Sequence, residues 1–159
     1  MEPIVTRTGI EIAIQRLLET LCLRLQQDEK GLRVASFKGY RTDGKIVKIE
    51  IGTNRPSCNT KHLFKLCEIK IDAFEPAFGI ELFTLDASNI EALSSTPEKL
   101  WQENTGLDNI ELSELLDRIG GKIGDHNIHR YVPDEHFLPE RSFKLATAIQ
   151  ATLQKKLNI

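Results

Sequence analysis

Positive charge is concentrated in the stretch from Lys30 to Arg55. This stretch holds seven Lys and Arg residues against two acidic residues, a net charge of +5. Cations spaced along strands can contact phosphates and displace the counterions that surround a nucleic-acid backbone. A simpler alternative is that these cations keep an exposed strand edge from pairing with other chains. The candidate phosphate contacts are Arg33, Lys38, Arg41, Lys45, Lys48 and Arg55.

The rest of the chain does not share this charge. Residues 59–104 contain four Lys residues against eight acidic residues, and the whole chain has a formal net charge of -2. A phosphate-binding function would therefore depend on local charge. Tyr40 could stack on bases, whereas Phe37 fits better as a core or cross-strand residue.

A second group of polar residues suggests metal chemistry, because imidazole and carboxylate are common metal ligands. It comprises His126, His129 and His136 with Asp125, Asp134 and Glu135. No two of these histidines have the helical H-x-x-x-H spacing, and the chain has no phosphate-binding glycine loop or G-x-S-x-G sequence. We therefore expect no metal, no cofactor and no catalytic residue, with a metal-dependent enzyme as the weakest alternative.

The cysteines and the apolar runs bear on the compartment. Three cysteines, an odd number, lie outside any C-x-x-C pair, which favours free thiols in a reducing compartment. No apolar run approaches the roughly 20 residues of a membrane helix, and Met1-Glu2-Pro3 does not begin a signal peptide. We expect a cytoplasmic protein that does not interact with membranes.

The elements that position the basic residues follow from hydrophobic spacing. A helix is predicted over Ile10–Leu25, with Thr8 as cap and a stop at Gly31. Two strands, Leu32–Tyr40 and Lys45–Gly52, flank an Asp43-Gly44 turn. A second helix follows Pro56, with Ser57 or Asn59 as cap, and a strand is predicted over Phe78–Leu85.

With a further short strand at Ile4-Val5, this order predicts an α+β fold: an antiparallel four-stranded sheet with two helices on one face. Residues 2–93 would form this domain, and residues 94–107 a linker. Residues 108–159 would form a small helix–strand–helix subdomain. It has a helix that ends at Gly124, a strand over Ile128–Val132, and helical spacing from Leu145 onward.

Several segments together resemble the C-terminal half of ImuB-type proteins, the Y-family DNA polymerase relatives of bacterial mutagenesis cassettes. The resemblance extends from Glu2 to about Ala146. The segments that carry it are Glu2-Pro3-Ile4-Val5, Gly52-Thr53-Asn54-Arg55-Pro56-Ser57, Phe78-Gly79-Ile80-Glu81-Leu82, Leu112-Ser113-Glu114-Leu115-Leu116-Asp117-Arg118, and His136 with Pro139-Glu140-Arg141.

The resemblance implies a little-finger domain, whose sheet lies against template DNA. In that family the catalytic palm precedes the little finger, so this chain alone would be a non-catalytic DNA-binding fragment. Its parent would resemble a nucleotidyltransferase of DNA repair and error-prone translesion synthesis, one that is generally catalytically defective. The implied partners are DNA, the sliding clamp, an ImuA-type protein and an error-prone polymerase.

The predicted linker contains the apolar pair Leu100-Trp101. In ImuB-type proteins a clamp-binding motif of Gln, two variable residues, Leu and an aromatic follows the little finger. Leu100 and Trp101 match the end of this motif, and Pro97 stands in the place of Gln. The pair could equally pack onto its own domain. The alternative to DNA binding is an adaptor that binds the clamp or a partner polymerase without contacting DNA.

Overall fold

The computed structural model describes residues 3–93, 109–134 and 142–147. Within these ranges the fold is α+β, with three helices, a three-stranded antiparallel sheet and a two-stranded sheet. None of the described helices is long and apolar enough to cross a membrane. The helices and strands, in chain order, are α1 (Arg7–Gln27), β1 (Lys30–Arg41), β2 (Ile46–Ser57), α2 (Thr60–Lys70), β3 (Ile80–Ala92), α3 (Ile110–Ile123), β4 (His129–Pro133) and β5 (Phe143–Thr147).

Helix α1 buries the apolar stripe that predicted it, including Ile10, Ile14 and Leu18. It begins earlier than expected, because the Thr6 side chain rather than that of Thr8 accepts the capping hydrogen bond, from the Gly9 amide. The left-handed residue that follows the helix is Glu29, with φ 53°, and not Gly31. The predicted helix is confirmed, whereas the predicted cap, Thr8, and the predicted stop, Gly31, are wrong.

Strands β1 and β2 form the predicted hairpin. The turn places Gly44 at φ 79°, a conformation that glycine adopts without steric cost. Strand β2 does not end at Gly52 as expected but continues to Ser57 through a bulge. Between the cross-strand pairs Val34–Gly52 and Leu32–Ser57, β1 advances two residues while β2 advances five. The extra residues absorb Pro56, which cannot donate to a regular ladder.

Glycine at position 31 allows the bulge to approach β1 closely. A Cβ atom there would lie 2.6 Å from the carbonyl carbon of Pro56 and 2.7 Å from the Ser57 nitrogen. Two side chains also hold the bulge: the Thr53 hydroxyl donates to the Leu32 carbonyl (2.8 Å), and the Arg33 guanidinium donates to the Thr53 carbonyl (2.7 Å).

The sheet has the order β2-β1-β3, with β1 in the centre. Strand β3 extends beyond the predicted Leu85 to Ala92, because it pairs along almost the whole of β1. The expected four-stranded sheet is not seen among the described residues. Ile4 forms one isolated bridge, its amide and carbonyl bonding those of Ile80, and Thr6 then begins α1. One residue pair is too short to form a strand.

The core lies between the sheet and helices α1 and α2, in agreement with the prediction that two helices pack on one face of the sheet. Asn59 caps α2 by accepting from the His62 amide, one of the two caps expected. Phe37 is 1% exposed and stacks on Phe83, with ring centroids 5.5 Å apart. The largest fully buried side chains are those of Phe37, Ile10, Ile14, Leu18, Leu32, Leu63, Ile80 and Cys67.

The remaining described elements follow residue 108. Helix α3 ends at Gly124, which has φ 90°, as predicted. The predicted strand over Ile128–Val132 is confirmed as β4, which pairs with β5 in antiparallel register. Residues Leu145 to Thr147 therefore belong to a strand and not to the expected helix. The rest of that predicted helix, from Ala148 onward, lies outside the described residues, as does the linker over residues 94–107.

Candidate nucleic-acid interface

The two faces of the three-stranded sheet differ in what covers them. Alternate residues of β1 and β2, such as Ala35, Phe37, Ile49 and Ile51, are buried in the core with α1 and α2. The intervening residues point to the opposite face, because successive side chains of a strand alternate. We call this opposite face the open face. It comprises Ser36, Lys38, Tyr40, Ile46, Lys48, Glu50, Leu82, Thr84 and Asp86.

Register arranges the open face in rows across the sheet. Lys38 of β1 lies directly opposite Lys48 of β2, and on its other side opposite Thr84 of β3. Tyr40 lies between Ile46 and Leu82, whose side chains are more than half exposed. A row with two cations therefore adjoins a row with an aromatic ring and two apolar side chains.

Each of the two lysines has a carboxylate beside it. Lys38 Nζ donates to Asp86 Oδ2 at 2.5 Å, and Lys48 Nζ to Glu50 Oε1 at 3.3 Å. The hydrogen bond from Lys38 to Asp86, together with the attraction between their charges, raises the pKa of the lysine. The side chains remain partly in water, so both pairs are weak and can exchange partners.

Arg33 is the candidate whose position is least suited to contacting DNA. Its side chain is 4% exposed; the guanidinium donates to the Thr53 carbonyl at 2.7 Å and lies 3.3 Å from Glu91. Arg33 is thus a buried side chain that stabilises the β2 bulge through its hydrogen bond to Thr53. It is therefore placed to hold the bulge, and not to contact a nucleic acid on the open face.

The other basic candidates lie toward the two ends of β2. Arg41 ends β1 and donates to Asp43 of the turn at 2.6 Å, with a side chain only 14% exposed. Lys45 is exposed in the same turn, and Arg55 is half-buried in the bulge. The predicted partner-binding pair, Leu100 and Trp101, lies outside the described residues.

A buried polar cluster joins α3 to the sheet, and no sequence pattern indicates it. Asp117 of α3 accepts a hydrogen bond from the Asn54 amide at 2.7 Å, and its other oxygen lies 2.9 Å from His62 Nε2. The side chains of His62 and Asp117 are at most 4% exposed. Nearby, the Asn59 side chain donates to Glu114 at 2.8 Å. Asp117 lies in one of the segments that carry the resemblance, and His62 belongs to no motif.

The histidines that were considered as metal ligands do not form such a site in the part of the chain that the structure describes. His126 and His129 are exposed, and His136 lies outside the described residues together with Glu135 and the Pro139-Glu140-Arg141 segment. No group of three or more His, Cys, Asp or Glu side chains among the described residues is arranged so that it could hold a metal ion.

Comparison with known proteins gives matches to curated sequences. Protein ImuB of Caulobacter vibrioides strain NA1000 / CB15N is 27% identical over 141 residues, which is 89% of this chain and 31% of that protein. Protein ImuB of Caulobacter vibrioides strain ATCC 19089 / CIP 103742 / CB 15 matches with the same values. No protein-family model matches the chain, and no solved structure matches it significantly.

The matched stretch is long relative to this chain and short relative to those proteins. Its extent agrees with the resemblance carried by the Gly52–Ser57 run, which forms the β2 bulge, and by the Leu112–Arg118 run, which lies in α3. The resemblance to ImuB-type proteins is thereby confirmed: the chain is similar to ImuB over most of its own length and spans about a third of the length of those relatives.

Proposed function

We propose that the open face binds the sugar-phosphate backbone of DNA, as the little-finger-like part of a Y-family polymerase-like protein in DNA damage tolerance. The similarity to ImuB supports the cellular role, and the open face supports the chemistry. In this proposal the chain is a DNA-holding module without catalytic residues of its own. A polymerase-like parent and its partners, including the sliding clamp, form part of the same proposal.

The observation that carries the proposal is the direct opposition of Lys38 and Lys48 on the open face. Like charges directly opposite each other destabilise a sheet, and here Asp86 and Glu50, which are more than half exposed, pair with the two lysines. An anionic backbone lying across the strands could bind the same two ammonium groups, since each phosphate can take the place of one exposed carboxylate.

The neighbouring row would complete the contact with the nucleic acid. Tyr40, with Ile46 and Leu82 on either side, offers a flat, partly apolar surface beside the cations. Sugars and exposed base faces pack on such surfaces without base-specific hydrogen bonds. Lys45 in the turn extends the positive charge beyond this row. We expect Lys38, Lys45 and Lys48 to contribute most to binding, and Arg41 and Arg55 less.

Reversing both central charges tests the proposal. The Lys38→Glu/Lys48→Glu variant should bind labelled primer-template DNA at least about tenfold more weakly at low salt. The slope of log affinity against log salt concentration should become less steep by roughly two, because two phosphate contacts are lost. Fluorescence anisotropy titrations at two salt concentrations measure both quantities. The matched control is Arg16→Glu/Arg24→Glu, which makes the same change in charge on the exposed side of α1.

If the control variant loses as much affinity as the open-face variant, the binding reflects overall charge and the proposed interface is wrong. If neither variant changes binding, the basic hairpin is a solvated surface. In that case the adaptor function, in which the clamp or a partner polymerase is bound without DNA contact, becomes the better explanation.

A further inference from the structure

Two hydroxyl groups of the open face are buried without a hydrogen-bond partner. Ser36 of β1 is only 6% exposed, although it lies on the open face. Its Oγ atom and the Oγ1 atom of Thr84 on β3 are both buried, and neither has a hydrogen-bond partner among the described residues. Burying a hydroxyl without a hydrogen bond costs free energy, so most buried hydroxyls in folded proteins are paired. Two unpaired hydroxyls on one surface are therefore a candidate binding feature.

The register of β1 and β3 shows what covers these hydroxyls. Ser36 lies opposite Asp86. Lys38, two residues further along β1, lies opposite Thr84, so the four residues form the corners of a rectangle on the open face. The ion pair from Lys38 Nζ to Asp86 Oδ2, at 2.5 Å, runs along one diagonal of this rectangle. The two hydroxyl residues occupy the other diagonal, and the ion pair therefore crosses over the space between them.

We propose that this rectangle, which we call the hydroxyl site, binds one phosphate group of the DNA backbone when Lys38 releases Asp86. The Ser36 and Thr84 hydroxyls are then uncovered and donate to the phosphate, while the ammonium group of Lys38 supplies the positive charge. The inference rests on the proposed DNA binding by the open face, and it names the groups that hold a phosphate there.

The spacing of the two hydroxyl residues suits a single phosphate. Diagonal neighbours in an antiparallel pair of strands lie about 7–8 Å apart. A hydroxyl donates to an oxygen over roughly 2.7 Å, and two such hydrogen bonds with a phosphate between them cover about this distance. Serine and threonine hydroxyls are common donors to phosphate oxygens in protein–DNA interfaces. In the bound arrangement both hydroxyls gain the partner that they lack in the closed one.

The ion pair over the hydroxyl site can open at little cost. The side chains of Lys38 and Asp86 are 34% and 53% exposed, and ion pairs that remain partly in water contribute little to stability. The phosphate also takes the place of the carboxylate, so Lys38 keeps an anionic partner. Lys48, directly opposite Lys38 on β2, adds a second positive charge beside the site.

The test removes the two hydroxyls and keeps every charge. The variant Ser36→Ala/Thr84→Val does this on the open face, and the matched control Thr8→Val/Thr20→Val removes two hydroxyls from exposed positions of α1. Affinity for labelled primer-template DNA is measured by fluorescence anisotropy over a range of salt concentrations. Urea unfolding followed by circular dichroism measures the stability of each variant.

We expect Ser36→Ala/Thr84→Val to bind DNA about fivefold to tenfold more weakly than the parent chain and the control. The slope of log affinity against log salt concentration should stay unchanged, because neutral hydroxyls release no counterions. The free energy of unfolding of Ser36→Ala/Thr84→Val should equal or exceed that of the parent, since the hydroxyls that it removes have no partner among the described residues.

The outcome for Lys38→Glu/Lys48→Glu separates this inference from the proposed function. If that variant binds more weakly while Ser36→Ala/Thr84→Val keeps the parent's affinity, the hydroxyl site is wrong and the open face remains the interface. If both keep the parent's affinity, the interface and the hydroxyl site are both wrong. A loss of stability in Ser36→Ala/Thr84→Val beyond that of the control would show that the hydroxyls are bonded within the folded protein, and would also overturn the inference.

Discussion

At the scale of single residues, Lys38 has two possible anionic partners on the proposed interface. Its ammonium group donates to Asp86, which is 53% exposed and raises the pKa of the lysine. A DNA phosphate would have to compete with this carboxylate, and the carboxylate would also repel the phosphate. In the proposed interface Asp86 would therefore limit affinity for DNA, and its ion pair with Lys38 should contribute little to folding, since exposed ion pairs add little stability.

Removing that carboxylate should strengthen DNA binding. We predict that Asp86→Asn raises affinity for primer-template DNA by roughly two- to fivefold at low salt, with the gain shrinking as salt screens the charges. The control is Asp72→Asn, which removes the same charge from an exposed residue paired with Arg7 in the helical layer. Anisotropy titrations of both variants decide the point. Equal gains in the two variants would show that the effect comes from net charge. If Asp86→Asn gives no gain, Asp86 does not lie at the DNA-binding site.

At the scale of elements, the bulge of β2 is the point where three parts of the fold meet. Arg33 and Thr53 fasten it to β1, and Asp117 fastens it to α3 by accepting from the Asn54 amide. A bulge leaves ladder groups without strand partners, so these side chains supply the missing hydrogen bonds. The same bulge brings α2 into position, because Asn59, the α2 cap, follows two residues after Ser57.

Asp117 also contacts α2, through His62. We predict that Asp117→Ala lowers the free energy of unfolding by about 1–3 kcal/mol, because it leaves the buried Asn54 amide and His62 ring without this partner. Urea unfolding followed by circular dichroism measures the loss. Asp72→Ala, which breaks an exposed ion pair, should change stability by less than about 1 kcal/mol. Similar losses in the two variants would contradict a structural role for the cluster.

The sequence patterns predicted the elements better than the way in which the elements meet. Periodicity and turn chemistry were enough for α1, the β1–β2 hairpin, α2 and β4, because each depends on neighbours in the chain. The β2 bulge and the length of β3 depend on pairing with β1, a contact between distant residues. The buried role of Arg33 follows from that bulge. Likewise, the spacing that identified α3 does not reveal that its polar face, with Asp117, packs against the protein.

At the scale of the whole molecule, the ionisation of all three thiols is coupled to folding. Burial raises the pKa of Cys22, Cys58 and Cys67, and most strongly that of Cys67, to about 12. Cys67 is 1% exposed in the core between α2 and the sheet, where a thiolate would lose its hydration. In the unfolded chain the same thiol ionises near its ordinary pKa of about 9. The two states therefore bind different numbers of protons in alkaline solution.

The sign of this effect follows from the raised pKa in the folded state. Between pH 9 and 12 the unfolded chain releases the Cys67 proton while the folded chain keeps it, so stability falls as pH rises. From pH 8 to 10 this one thiol should remove about 1.4 kcal/mol from the free energy of unfolding. Urea unfolding under reducing conditions at both pH values, for the parent chain and Cys67→Ala, measures it. The variant should be less stable at pH 8 because of the cavity, yet lose about 1.4 kcal/mol less on going to pH 10. An identical loss in the two proteins would show that Cys67 is not the group through which alkaline pH destabilises the fold.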